Sequence, residues 1–454
     1  MLDIVGLSLG SWLWGVLGTH PQKVEKIEPL TWHEASIFEL PQQEFDPQVQ
    51  IIVDQYLDRL IEKGILCDRQ GIWIQTDWFE LGNHFGDRPI SSASLTKIAT
   101  SLAAIGKWGA DHQFVTNIYH TGKIESGILN GDLIIEGGND PFFVWEEAIA
   151  LGNSLNELGI TSISGDLLIT DNFVMNYRSH THTAGSLLYQ ALNTRLWSSV
   201  IKRQFQNLSA KISPTILNKP NLTINGTVRV ISKIPDNSQS IIQHYSLPLV
   251  TILRHMNIYS NNKMAQILAN NLGGSKAIAN YAVKETRVSP QEIQLINGSG
   301  LGLENQISPR AATKMLIVLE NLLKPYQFEV ADVLPVAGRD HLGTIADRKL
   351  PAGVSIKTGT LNEVSALAGV IPLQGEQKAW FTITNYGWQI KHFRNQQDQL
   401  VQKLVNHWQP PKPNNFLTPP ELRKQDPQNS AVNLNYLGDP QRNKLNSNQT
   451  SIKK

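Results

Sequence analysis

The chain has 454 residues and a formal net charge of +1, with 41% hydrophobic and 17% charged residues. This length exceeds what a single hydrophobic core usually supports, so we expect two domains with additional segments. The balanced charge provides no long-range attraction to nucleic acid, and we predict no nucleic-acid partner. The single cysteine, Cys67, excludes an internal disulfide and a zinc site built on a cysteine pair. We expect no metal and no cofactor, because the pair His180 and His182 is typical of a polar loop.

The N-terminal segment contains an uncharged, mostly apolar run from Ile4 to Leu17. Its length matches the core of a secretory signal peptide and is short for a membrane span. Asp3 has the wrong sign for the region before such a core, and a buried N-terminal helix is the alternative. We favour export, with residues 1–18 as a signal peptide or membrane anchor and Thr19 as the first mature residue. The predicted location is extracytoplasmic, in a bacterial periplasm, with membrane contact at most through this segment.

The first part of the chain predicts a helix, a hairpin and a second helix. Apolar residues recur at helical spacing over 47–64, which ends in glycine. The stretches GIWIQT (71–76) and WFELGNHF (78–85) have the composition of two hairpin strands. The segment SASLTKIAT, residues 92–100, opens a second helix that continues through alanine and leucine to Gly109.

Residues 111–245 change to short strand-like runs separated by glycine, asparagine and aspartate, which predicts an inserted, strand-rich subdomain. Two of its segments are alike, GDLIIEGGND from Gly131 and GDLLITDNF from Gly165. Between them, residues 142–159 have the pattern of a helix. The insertion therefore separates two parts of a surrounding domain.

Helical spacing returns over 247–273 and near 309–322. Three strands and a closing helix follow at GVSIKTGT (353–360), LAGVIPL (367–373), AWFTITNYG (379–387) and residues 392–408. Residues 409–454 are rich in proline, asparagine and glutamine and predict a disordered tail. This order predicts an α+β fold for residues 19–110 and 246–408. An antiparallel sheet is flanked by the first and last helices, and a helical half completes it.

The segment SASLTKIAT places Ser94 three positions before Lys97. On a helix these side chains share a face, and a helix N-terminus favours developing negative charge. The pair suits a nucleophile with a lysine base, provided that burial or a neighbouring cation removes the lysine's proton. An ordinary helix start is the alternative, because the same spacing occurs at Ser199 and Lys202, Ser260 and Lys263, and Ser451 and Lys454.

A second motif, Ser260-x-Asn262, lies at a turn between two helical stretches. Its hydroxyl can pass on a proton and its amide can hold a substrate carbonyl. Capping of the following helix explains the same residues when they are considered alone.

A third motif, Lys357-Thr358-Gly359-Thr360, lies on a strand that alternates apolar and polar residues. A cation and two hydroxyls on an exposed strand suit a substrate carboxylate, and Gly359 allows a substrate backbone to approach. A strand-end turn with a solvated lysine is the alternative. The three motifs together, in this order, are the set found in penicillin-binding proteins and class A β-lactamases. The combination therefore favours a catalytic site with Ser94 as the nucleophile.

Further stretches narrow the similarity to one family. They are GILNGDLIIEGGNDPFF (127–143), ISGDLLITDNF (163–173), LINGSGLGLENQISP (295–309), LPVAGRDHLGT (334–344) and KTGTLNEVSALAGVI (357–371). Over residues 45–405 the chain resembles the class C low-molecular-mass penicillin-binding proteins, which are D-alanyl-D-alanine carboxypeptidases/endopeptidases. The resemblance implies a penicillin-binding, β-lactamase-like transpeptidase fold. It departs from the family at Asn139 in place of glycine, at Asn297 in place of aspartate, and over residues 174–220.

The resemblance implies a role for each motif residue. Ser94 would attack the carbonyl of the penultimate D-alanine of a peptidoglycan stem peptide, and Lys97 would take its proton. Ser260 would relay a proton to the leaving D-alanine, positioned with help from Asn262 and Lys357.

Further implied roles concern the other end of the substrate. Thr358 and Thr360 would hold the terminal carboxylate, and backbone N–H groups of Ser94 and Thr360 would form the oxyanion hole. Water would then hydrolyse the acyl-enzyme, and β-lactam antibiotics would trap Ser94. The alternatives are a β-lactamase, which the length of the insertion disfavours, and a catalytically silent, penicillin-recognising wall-binding protein, which the intact motif set disfavours.

Overall fold

The computed structural model describes residues 46–209, 218–375, 377–410 and 437–446. The predicted signal segment, residues 1–18, and much of the predicted tail lie outside these ranges. Within them, no helix combines the length and apolar character needed to cross a membrane.

Helices and strands follow the predicted order along the chain. The helices are α1 Pro47–Ile61, α2 Thr96–Trp108, α3 Trp145–Glu157, α4 Thr181–Leu192, α5 Ser199–Ser209, α6 Leu249–Ile258, α7 Asn262–Asn271, α8 Ser275–Thr286, α9 Pro309–Leu323, α10 Val330–Val333 and α11 Ile390–Trp408. The strands are β1 Gln70–Gln75, β2 Glu80–His84, β3 Ile90–Ser91, β4 Val115–His120, β5 Lys123–Glu125, β6 Ile128–Asn130, β7 Leu133–Glu136, β8 Ser162–Ile163, β9 Leu167–Ile169, β10 Thr223–Ile224, β11 Val228–Val230, β12 Gln239–Tyr245, β13 Ile293–Gln294, β14 Gln306–Ile307, β15 Ser355–Leu361, β16 Val364–Pro372, β17 Lys378–Tyr386 and β18 Asn443–Leu445.

The central sheet is antiparallel, with the strand order β15-β16-β17-β1-β2. Because side chains alternate across a strand, β16 directs Leu367 and Ile371 to one face and Ala366 and Ala368 to the other. The first face packs against α1 and α11, which share a core with it. The predicted sheet flanked by the first and last helices is therefore confirmed.

The second face of the sheet belongs to the core of the helical half, which includes α2, α6, α7, α8 and α9. Helix α2 is buried on all sides from Thr96 to Ile105, as expected for a helix at the centre of a large core. Its N-terminus lies beside β15, and this contact brings the first and third motifs together.

The inserted residues have a separate core and supply five strands of a six-stranded sheet with the order β11-β9-β7-β4-β12-β18, and β18 comes from the C-terminal segment. The two similar segments form its parallel neighbours β7 and β9, with Leu133 opposite Leu167. The aspartate of each segment bonds to the next strand in the same way. Asp132 Oδ1 accepts from the Asp166 amide at 2.7 Å, and Asp166 Oδ1 accepts from the Thr227 amide at 2.7 Å. The sequence similarity therefore reflects a repeated strand start.

Residues 437–446 differ from the prediction of a disordered tail. Their strand β18 pairs with β12, with Leu445 opposite Ile242. The buried Arg442 pairs with both carboxylate oxygens of Glu147 on α3. The polar composition of the tail does not predict this contact. The segment is held by strand pairing and by an ion pair, and neither requires a run of apolar residues.

Candidate active site

Ser94 lies in the short 3₁₀ turn Ala93–Leu95 that leads directly into α2. The Nζ atom of the buried Lys97 lies 3.0 Å from Ser94 Oγ, so the first motif forms the predicted contact. Lys97 also donates to Asn262 Oδ1 and to the carbonyl of Ser299, both at 2.7 Å. The Lys97 amine therefore connects Ser94 of the first motif with Asn262 of the second motif. It also connects them with the loop that contains Ser299, which belongs to none of the three motifs.

Burial lowers the pKa of Lys97 from its ordinary value to about 7. No carboxylate pairs with this amine among the described residues, so nothing offsets the loss of solvation. A lysine with this pKa has a large neutral fraction near pH 7 and can accept a proton from Ser94.

Ser260 occupies the turn between α6 and α7, with Asn262 as the first residue of α7. Lys357 on β15 donates to Ser260 Oγ at 3.1 Å and to the Thr358 carbonyl at 2.8 Å. Burial, and secondly the charge of Lys97, hold the pKa of Lys357 well below its ordinary value. The second and third motifs are therefore joined by a hydrogen bond from a second buried lysine, close to the first.

Two residues of this site have a strained backbone conformation. Ala93, directly before the nucleophile, has φ of +45° and Ser260 has φ of +49°, a region that residues with a Cβ rarely adopt. Gly300 packs so closely on this turn that a Cβ would lie 1.8 Å from the carbonyl oxygen of Ala93. The surrounding structure therefore imposes the backbone conformation that presents both serines.

Residues Thr358–Thr360 line one side of the site on β15, where Thr358 is buried and Thr360 is exposed. The structure gives a different reason for glycine at position 359 than a close approach of substrate. A Cβ there would lie 2.7 Å from the carbonyl oxygen of Ser92, so Gly359 lets β15 pack on the turn that carries the nucleophile. The hydroxyl of Thr360 accepts a hydrogen bond from Arg394 Nη2 at 2.9 Å.

Asn297 and Asn139, two positions at which the chain departs from the residues usual in the family, both have defined contacts in the structure. Asn297 Oδ1 accepts from the amides of Ser299 and Gly300, at 3.0 and 2.8 Å, as a carboxylate would. Asn139 has φ of +61°, which asparagine tolerates better than most residues, and its carbonyl accepts from Asn271 on α7. Both asparagines therefore form hydrogen bonds close to the site.

A cavity of about 420 Å³ adjoins the second motif and is lined by Tyr259 and Asn261, the neighbours of Ser260. Its other wall comes from the inserted residues, including Phe142 and Tyr177, whose rings stack 6.2 Å apart. Burial raises the pKa of Tyr177 to about 12, although a hydrogen bond with the Asn261 side chain lowers it. The insertion thus contacts the catalytic turn directly.

Three groups at or beside the site belong to no sequence motif: the carbonyl of Ser299, the Tyr177 side chain and the Arg394 side chain. Ser299 lies in a stretch that resembles the family, but a backbone carbonyl gives no sequence signal of its contact with Lys97. Tyr177 and Arg394 are single residues outside any motif, so only their positions in the fold bring them to the site.

A serine hydrogen-bonded to a buried lysine, with a second serine and lysine opposite, defines an acyl-transferring hydrolase of the penicillin-binding type. The family model described as the D-Ala-D-Ala carboxypeptidase 3 (S13) family matches residues 54–183 and 177–407. The chain belongs to this family. The predicted family and the predicted enzyme class, a serine-type D-Ala-D-Ala carboxypeptidase, are confirmed.

Individual relatives agree with this assignment. The D-alanyl-D-alanine carboxypeptidase DacB of Haemophilus influenzae is 25% identical over 401 residues, covering 67% of this chain and 82% of that protein. The solved Bd3459 predatory endopeptidase of Bdellovibrio bacteriovorus has a TM-score of 0.67 at 22% identity, covering 75% of this chain and 94% of that one. Penicillin-binding protein 4 of Haemophilus influenzae has a TM-score of 0.55 at 20% identity, with coverage of 74% and 96%. These structures confirm the predicted fold.

Proposed function

We propose that Ser94 forms an acyl-enzyme with the penultimate D-alanine of peptidoglycan stem peptides. Neutral Lys97 takes the hydroxyl proton as Ser94 Oγ bonds to the carbonyl carbon. Backbone N–H groups of Ser94 and Thr360 stabilise the oxyanion. The observation that carries the proposal is the 3.0 Å contact between Ser94 Oγ and the buried Lys97 Nζ.

The leaving group departs when its nitrogen gains a proton. Ser260 donates that proton, and the proton that Lys97 took from Ser94 returns to Ser260 through Lys357, whose Nζ lies 3.1 Å from the Ser260 hydroxyl. Asn262 holds the substrate carbonyl while it also accepts from Lys97. Water then attacks the ester, and Ser94 regains its proton as the peptide acid leaves.

Thr358 and Thr360 bind the carboxylate of the departing residue. A free D-Ala-D-Ala terminus and a D-alanyl cross-link present the same acyl group to Ser94, so one acyl-enzyme serves both carboxypeptidase and endopeptidase reactions. A β-lactam presents a strained amide and a carboxylate at similar positions, and its acyl group stays attached because the amine cannot diffuse away.

The test is intact mass after incubation with benzylpenicillin, on the wild type, Ser94→Ala and Ser199→Ala. Ser199 belongs to another Ser-x-x-Lys pair and lies on the surface of α5, so its variant is a matched control. We expect one adduct on the wild type and the control, mapped to the 91–97 peptide, and none on Ser94→Ala. Rapid drug turnover without a lasting adduct identifies a β-lactamase, and a folded protein with neither result is catalytically silent.

We propose in addition that the enzyme works outside the cytoplasm. The peptide bonds that it is proposed to cleave lie in the cell wall, and residues 1–18 resemble a signal peptide. Residues 1–18, which lie outside the described residues, are then removed or anchor the chain. N-terminal sequencing of native periplasmic and membrane material is expected to begin at or near Thr19. An intact Met1 on cytoplasmic material contradicts this proposal.

A further inference from the structure

The substrate carboxylate needs a cation to bind it. The sequence predicts Lys357 for this role, but in the structure its amine is directed to other groups. Lys357 is fully buried, and its Nζ atom is directed to Ser260 and to the Thr358 carbonyl. Its proximity to Lys97 further disfavours the charged state. Lys357 therefore serves the proton relay. A substrate carboxylate at Thr360, the exposed end of the motif, needs a different cation.

Arg394 on α11 reaches this position. Its Nη2 atom donates to Thr360 Oγ1 at 2.9 Å. A guanidinium has donors and no acceptor, so the Thr360 oxygen must be the acceptor in this bond. The hydroxyl hydrogen of Thr360 is consequently left to donate elsewhere, and Thr360 itself is exposed. Among the described residues Arg394 forms no ion pair that would neutralise its charge.

Helix α11 holds Arg394 firmly against the sheet. One turn further along, Gln397 donates to the Ser365 carbonyl at 3.1 Å and to Asn385 Oδ1 at 2.8 Å. The next residue, Asp398, forms a buried ion pair with Arg348 at 2.6 Å. Residues three and four positions apart share a helix face, so these anchors fix the turn that carries Arg394.

We propose that Arg394 is a specificity-determining residue that binds the α-carboxylate of the substrate's C-terminal residue together with Thr360. This assignment rests on the proposed function of Ser94. Arg394 orients the Thr360 hydroxyl as a donor and adds its own charge-assisted hydrogen bond, as arginine does at other carboxylate sites. The pair therefore selects substrates in which the residue released from the acyl group carries a free carboxylate.

The experiment compares a peptide ending in D-Ala-D-Ala with the same peptide ending in a C-terminal carboxamide. The variants are Arg394→Gln, Arg394→Lys and the control Lys391→Gln, which removes an exposed charge from the same helix. We expect Arg394→Gln to lower kcat/KM on the acid by roughly 10- to 100-fold, the range for a hydrogen bond to a charged group. Its kcat/KM on the carboxamide changes by less than about threefold, because that interaction is absent from the start. Arg394→Lys recovers part of the loss, and Lys391→Gln changes neither substrate.

The ratio of the two kcat/KM values separates binding of the carboxylate from a general structural effect. An equal fall on both substrates, or an unchanged ratio in a folded Arg394→Gln protein, overturns the assignment. Benzylpenicillin acylation of the wild type, measured alongside, isolates the proposed function. If the wild type forms no adduct, the assignment of Ser94 as the nucleophile is wrong. If the wild type forms the adduct and the ratio of kcat/KM values stays constant, only the assignment of Arg394 to the carboxylate is wrong.

Discussion

The C-terminal segment offers the sharpest test of how the insertion is stabilised. Arg442 is fully buried, bonds both oxygens of Glu147, and donates to the Tyr245 carbonyl at 2.7 Å. The substitution Arg442→Met keeps the apolar stem and removes the charge. It leaves Glu147 buried without its cation, and removing one partner of a buried pair costs about 3–5 kcal/mol. We therefore expect the free energy of unfolding to fall by about 3–5 kcal/mol at pH 8.

The pH dependence of this loss has a definite sign. Burial raises the pKa of Asp140 to about 7 and also raises that of Glu147, while Arg442 lowers both. Removing Arg442 raises both values further, so these acids bind protons in the folded state at a pH where the unfolded chain has released them. An acid with a raised folded pKa loses stability as the pH rises above its unfolded value, so the penalty is smaller at pH 5 than at pH 8.

Urea unfolding at pH 5 and pH 8 measures both quantities. Lys444→Met is the matched control, because Lys444 is exposed on β18, two residues after Arg442, and the loss of its contact with the Tyr245 ring is expected to cost at most about 1 kcal/mol. The double variant Glu147→Gln with Arg442→Met is expected to recover most of the loss, since the carboxylate that paired with Arg442 is no longer left buried without its cation. A change below about 1 kcal/mol at pH 8, or the same change at both pH values, refutes the reasoning.

Three further predictions concern Lys97 and two residues that pack beside the catalytic motifs. The rate of acylation by benzylpenicillin is expected to rise with pH around a midpoint near 7, as Lys97 loses its proton, and a flat profile from about pH 6 to 9 contradicts this assignment of the base. The substitution Gly300→Ala is expected to slow acylation by about 100-fold, because a Cβ displaces the turn before the nucleophile. Gly64→Ala, at φ of +70° in open space, controls for backbone strain and is expected to leave acylation unchanged. Tyr177→Phe is expected to slow deacylation by about two- to tenfold in stopped-flow assays through the lost bond to the second motif. Tyr189→Phe, which removes a hydroxyl bond elsewhere in the insertion, is its control, and equal effects of the two variants argue against the link.

The sequence by itself determined the parts of this protein that depend on residue type and local spacing. Ser94 and Lys97 lie one helical turn apart, so their contact is local and could be predicted from three positions of spacing. The hairpin, the closing helix and the final three strands also follow from short-range periodicity. The family resemblance joined the motifs, because the chemistry of acyl transfer requires the same residue types in the same order.

Only the tertiary structure decided which distant groups complete the site. The carbonyl of Ser299 is 202 positions from Lys97, and Arg442 is 295 positions from Glu147. Arg394 lies outside every motif, and it reaches Thr360 because α11 packs along the sheet. The left-handed conformation of Ser260 likewise has no counterpart in the residue types of its motif. Such contacts depend on the path of the whole chain, which local composition does not determine. The contacts of the polar tail and of Arg394 could therefore be identified only from the folded structure.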